Sequence, residues 1–82
     1  MGCYKLFAVR NGADIATITR LAADTLRDAE HEAAGLLAAD VDAHRLHDAD
    51  GVYATITNAV GEAQTQLRRQ GYKLQWVEVP RA

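Results

Sequence analysis

The residues best suited to chemistry crowd into Asp40-Val41-Asp42-Ala43-His44-Arg45-Leu46-His47-Asp48-Ala49-Asp50. His44 and His47 stand at i, i+3, a spacing that on a helix places two imidazoles near one metal ion. The aspartates could serve calcium, but the ligand order of an EF-hand is missing. Val52 stands where a third acidic ligand would follow Asp48 and Asp50. The stretch therefore reads as a polar, solvated connection with surface histidines, and no metal ligand and no cofactor are expected.

Nucleophilic chemistry finds little support. The chain has no serine, and its single cysteine, Cys3, reads as a small hydrophobe. A Cys–His pair would require a histidine brought beside it by the fold. Neither G-x-G-x-x-G nor a Walker pattern is present, so the glycines read as turn and cap residues. No catalytic residue is named, and the expectation is a protein that is not an enzyme.

Two charged regions remain as binding candidates. The first is acidic: Asp24, Asp28, Glu30, Glu32, Asp40, Asp42, Asp48 and Asp50 face only Arg27 and Arg45 over the same span. Carboxylates spaced along a helix and loop can occupy a surface built for phosphates. Asp28, Glu30, Glu32, Asp40 and Asp42 are the expected contacts to a protein partner, itself a nuclease or nucleic-acid-binding complex. The second region is basic: Arg68, Arg69, Lys73 and Arg81 lie near Tyr72 and Trp76. Cations beside aromatics can grip a backbone and stack a base. Arg68, Arg69, Lys73 and Trp76 form the alternative site, that of a small nucleic-acid-binding or antitoxin-like regulator. The formal net charge of −2 argues against the strongly basic stripe that most such binders carry.

The elements that must position these groups fit one domain of 82 residues. At this size only ~60% of the unfolded chain's surface is buried on folding. No internal disulfide or zinc knuckle is available to help. Hydrophobic residues make up 49% and charged residues 24%, which argues against disorder. No apolar run is long enough to span a membrane, and no secretory signal is read. Met1-Gly2-Cys3 hints at acylation, but Leu6 stands where the myristoylation pattern requires Ser or Thr. The cytoplasm is the expected compartment. Abundant alanine and arginine point to a bacterial or phage source.

Tyr4 to Arg10 reads as a strand, and Asn11-Gly12 is a two-residue hairpin signal. That turn predicts Arg10 opposite Ala13, Ala8 opposite Ile15 and Leu6 opposite Thr17, within a hairpin over 4–21. Asp24 or Thr25 caps a helix over 25–39, whose apolar stripe is Leu26, Ala29, Ala33, Leu36 and Leu37. Val52 to Ile56 has strand composition, although Val52, Ile56, Ala59, Val60, Ala63 and Leu67 also fit one helical face. A second helix over 58–70, ended by Gly71 with Arg68 and Arg69 in its last turn, is predicted. Strand 72–79 follows, stopped by Pro80. Ala54-Thr55-Ile56-Thr57 echoes Ala16-Thr17-Ile18-Thr19, a hint of a duplicated hairpin–helix unit. The predicted fold is α+β: a mostly antiparallel sheet of three to five strands with two helices on one face. The second sheet face is apolar enough to imply a homodimer or another partner.

With a hairpin leading into Asp24-Thr25-Leu26-Arg27-Asp28-Ala29-Glu30, an acidic surface and no visible active site, the chain resembles small phage-encoded inhibitors of the anti-CRISPR kind. The resemblance covers size and architecture and carries no motif, so no functional residue transfers. It implies a non-catalytic protein that binds a host CRISPR effector and blocks its nucleic-acid site.

Overall fold

The computed structural model describes residues 3–12 and 16–80. Five strands and one helix follow in the order β1 (Tyr4–Ala8), β2 (Thr17–Leu21), α1 (Leu26–Asp42), β3 (Val52–Thr57), β4 (Ala63–Gln70) and β5 (Lys73–Glu78). The strands form one antiparallel sheet in the order β2-β1-β3-β4-β5. α1 carries the chain from the edge strand β2 across β1 to β3, and β3, β4 and β5 then form a meander.

The predicted pair of helices is thus corrected to a single helix, and 58–70 is not helical. Asn58 to Gly61 is a turn: the Asn58 side chain accepts from the backbone N–H of Val60 (3.1 Å) and Glu62 (2.9 Å), and Gly61 adopts φ 87°. Beyond it, Ala63 to Gln70 alternates in burial, with Thr65 and Leu67 buried and Gln66 and Arg68 less so. That is period two, the signature of a strand. The helical reading failed because Ala, Gln, Leu and Arg are all good helix formers. Pairing with β3 and β5 on both sides outweighs so weak a local preference. Gly71 does not cap a helix; it opens a two-residue turn at φ 68° between the paired Gln70 and Lys73, the first central position that a type II′ hairpin gives to glycine.

The first hairpin is shifted as well. Leu6 pairs with Thr19, Phe7 with Ile18 and Ala8 with Thr17, two residues away from the predicted register. A shift of two preserves which side chains share a face. The reason lies in the loop after α1. The Val9 carbonyl accepts from the His47 N–H at 2.7 Å, Arg10 bridges to Leu46, and Asn11 N–H donates to the Arg45 carbonyl. These contacts claim the end of β1, so Asn11-Gly12 does not close a two-residue hairpin. The predicted partners Ala13 and Ile15 lie outside the described residues. The echo between 16–19 and 54–57 falls on strands in both places, but β3 leads into β4 and not into a helix.

α1 runs three residues past its predicted end. Thr25 caps it, its hydroxyl accepting from Asp28 N–H at 3.2 Å. Ala29, Ala33 and Leu37 are buried against the sheet, while Leu36 is 52% exposed. The core is Leu6, Ala8, Leu21, Ala54, Ile56 and Leu67 beneath that helix, with Leu46 closing one end. Among the described residues, no helix is long and apolar enough to cross a membrane.

Candidate functional site: the open face of the sheet

α1 lies against one face of the sheet, and no described element covers the other. Strand register decides which side chains stand there. A row of ladder partners, Ile18–Phe7–Thr55–Gln66–Val77, crosses all five strands on the open side. Phe7 is 42% and Ile18 64% exposed. At one corner Lys5 sits between Arg20 and Thr57, and toward the opposite corner Arg68 sits between Val52 and Gln75.

The electrostatics of this face are one-sided. Lys5 and Arg20 are direct cross-strand partners and both are exposed. Like charges placed opposite one another in an antiparallel pair are destabilising, by a few tenths to ~1 kcal/mol. Strand residues on the open side supply no carboxylate to offset them, since Glu78 pairs with Thr65 on the helix side. Among the described residues the ion pairs are those of Asp40 with Arg10 and Arg45, so neither Lys5 nor Arg20 has an acidic partner. Arg68 donates from Nε to the Gln66 side chain at 3.1 Å. Its guanidinium thus stays on the face, charged and half-buried, beside the Asp50-Gly51 turn. A hollow of about 180 Å³ lined by Cys3, Tyr4, Lys5, Arg20 and Ala59 adjoins the Lys5–Arg20 pair.

The acidic residues predicted as partner contacts are distributed differently. Glu32 accepts from the backbone N–H of Ala22 at 2.9 Å and of Ala23 at 3.0 Å, tying the β2–α1 connection to the helix. Glu30 accepts from the Thr65 hydroxyl at 3.2 Å, which lies equally close to the Val77 carbonyl. Asp40 is buried, held by Arg10 Nε at 3.0 Å and by Arg45 at 3.9 Å. Asp28 and Asp42 are exposed near opposite ends of α1. Three of the five carboxylates therefore have structural work inside the chain.

The predicted basic site is divided by the strand it sits on. Arg68 points to the open face, whereas Arg69 points to the helix side. There Arg69 donates to the Tyr53 hydroxyl (3.3 and 3.2 Å) and lies 5.7 Å from the centre of its ring. Tyr53 in turn donates to Asp48 at 3.1 Å. Lys73 lies over the exposed Tyr72 ring. Trp76 is half-buried on the helix side, packed against the core beside Leu67. His44 and His47 are both exposed, and among the described residues no three His, Cys, Asp or Glu side chains are grouped to hold a metal.

Sequence reasoning missed Lys5, Arg20 and Phe7 as members of one surface. Their alternation within β1 and β2 was visible, but the pairing of Lys5 with Arg20 depended on a register that the loop after α1 sets. Compared with known proteins, the chain matches no family model, and no curated protein and no solved structure is significantly similar to it.

Proposed function

We propose that this chain is a non-enzymatic binding protein that holds single-stranded nucleic acid on the open face of its sheet. The observation that carries the reading is the Lys5–Arg20 cross-strand pair, which no carboxylate of the described residues on that face offsets. A phosphate bridging the two cations would turn a repulsive pair into an attractive one. Arg68 supplies a second anchor. From the strand spacing and the rise per residue it stands about 15–20 Å from Lys5, a span that several nucleotides cover. Phe7 lies between the anchors, exposed and available to stack a base.

The segregation of charge supports the same orientation. α1 carries five carboxylates against Arg27 alone, so a polyanion is repelled from the helix side and drawn to the sheet side. The inhibitor reading needs Asp28, Glu30, Glu32, Asp40 and Asp42 to act together on a protein partner. Glu30, Glu32 and Asp40 are already occupied within the fold, which favours the sheet face over the acidic surface.

The test is fluorescence anisotropy with labelled oligo-dT and oligo-U across a salt series. Two phosphate contacts, one bridged by Lys5 and Arg20 and one at Arg68, give a slope of log K against log salt of about −1.4 for single strands. Lys5→Glu and Arg20→Glu should each weaken binding about tenfold or more, while Asp28→Lys should not weaken it. Absence of binding at low salt would overturn the reading, and capture of an acidic protein in its place would assign the face to another class of ligand.

A further inference from the structure

An open sheet has two edges, each with a row of backbone N–H and C=O groups that the sheet itself leaves unpaired. Here the edges are β2 and β5, and they are built differently. β5 opens on Lys73, closes on Glu78 and is soon followed by Pro80. Charges and proline are the devices that keep further strands from adding to an edge. β2 is Thr17-Ile18-Thr19-Arg20-Leu21, β-branched at its first three positions and charged only at Arg20. Its ladder with β1 runs from Thr17 to Leu21 without a bulge. Among the described residues no strand pairs with its outer side.

Two large apolar side chains flank this edge. Ile18 is 64% exposed on the open face, and Leu36 is 52% exposed on the helix side. They stand at one height. Leu36, Thr17 and Thr19 line the same cleft of about 160 Å³, and Ile18 lies between those two threonines with its side chain on the opposite face. The edge is thus apolar on both sides of the sheet at a single point. A strand added there covers both side chains when it brings an apolar group to each face at that point. β2, accompanied by its own α1, is such a strand.

We infer that β2 pairs antiparallel with β2 of a second copy of this chain, about a twofold axis through Ile18 and normal to the sheet, to form one ten-stranded sheet. Ile18 then lies opposite its own copy, Thr17 opposite Thr19, and Ala16 opposite Arg20. α1 packs over β1 and β2, so the two helices share a face with their axes about 10 Å apart. That is the distance at which packed helices touch, and Leu36 meets Leu36. Strand twist turns one helix against the other by about −45° over two strand steps, near the commonest helix packing angle of about −50°. Like charges stay apart, since Arg20 and its copy are separated by about 14 Å, four residues' rise along the strands and one strand across. Pairing through β5 would instead leave bare the groove of about 350 Å³ beside α1, over β4 and β5, lined by Ala34, Ala38, Val41, Leu67, Leu74 and Trp76. The two open faces become continuous, and the inference stands independently of what they bind.

Sedimentation velocity over about 5–200 µM reads the assembly, and a concentration-dependent dimer is expected. Ile18→Lys and Leu36→Lys, both at exposed positions, should each weaken it about tenfold or more and give folded monomers by circular dichroism. The register is read by cysteines introduced in a Cys3→Ser background. Residues directly opposite in antiparallel strands have Cα atoms about 4.5–5.5 Å apart, within reach of a disulfide. Ile18→Cys should therefore cross-link into a dimer on mild oxidation, and Arg20→Cys should not. A wild-type monomer throughout that range would overturn the inference, as would a cross-link at residue 20 as ready as at residue 18.

Discussion

Glu32 offers the sharpest test of how this fold is held together, because its charge looks superficial and its contacts are not. Its carboxylate accepts from two consecutive backbone N–H groups, those of Ala22 and Ala23, and so joins the end of β2 to the second turn of α1. Glu32→Ala removes both acceptors at once. A hydrogen bond to a charged group contributes about 1.5–3 kcal/mol when well buried. Ala22 is exposed and water can replace its partner, whereas Ala23 is half-buried and more dependent on the carboxylate. The expected loss is therefore about 1.5–2 kcal/mol. In a domain of this size each kcal/mol shifts Tm by roughly 4–8 °C, so a fall of about 6–15 °C should appear. Glu32→Gln keeps one carbonyl oxygen in place and should lose about half as much. The assay is urea unfolding followed by far-ultraviolet circular dichroism, with the m-value held as a check that the same surface is exposed. An alanine variant within about 0.5 kcal/mol of wild type would refute the reasoning and return Glu32 to the role of a free surface charge.

Other substitutions probe separate parts of the structure. Asp40→Asn removes a buried carboxylate that two arginines hold, but their side chains are 60% and 65% exposed and can rehydrate. The expected cost is about 1–2 kcal/mol by chemical denaturation, less than the 3–5 kcal/mol of a fully buried pair. Arg45→Ala should cost less than Arg10→Ala, because its nearer nitrogen stands 3.9 Å from Asp40 against 3.0 Å. Ile56 is wholly buried at the centre of the sheet. Ile56→Val should cost about 0.5–1.5 kcal/mol and Ile56→Ala about 2–5 kcal/mol, the latter enough to leave much of the protein unfolded at 37 °C. Gly51 adopts φ 81°, and an added Cβ would lie 3.6 Å from the Arg68 guanidinium, an ordinary contact. Gly51→Ala should therefore cost the backbone strain alone, about 1–2 kcal/mol in urea midpoint measurements.

Several elements are legible from local signals alone. β1 follows from alternation, and Thr25 announces the start of α1 because its hydroxyl can satisfy an N–H that the first turn leaves open. Val52–Thr57 is a strand, as its β-branched composition indicated, and β5 ends before Pro80. Gly51 lies at a turn with positive φ, as the Asp50-Gly51 pair indicated, whereas Gly61 and Gly71, read as inside and at the end of a helix, lie at strand turns with positive φ.

The remainder was decided by contacts distant in sequence. Ala63–Gln70 has good helix formers at most positions, and only β3 and β5 on either side make it a strand: ladder hydrogen bonds and the burial of Thr65 and Leu67 together exceed a preference of a few tenths of a kcal/mol per residue. That one reversal removed a helix, opened the groove over β4 and β5, and sent Arg68 and Arg69 to opposite faces. The charges behaved alike. The sequence determined how many there are and their order along the chain. Tertiary structure decided that Glu30, Glu32 and Asp40 serve the fold while Lys5 and Arg20 stand side by side on the open face, because a side chain's partners depend on what packing brings within reach and not on its neighbours in the chain.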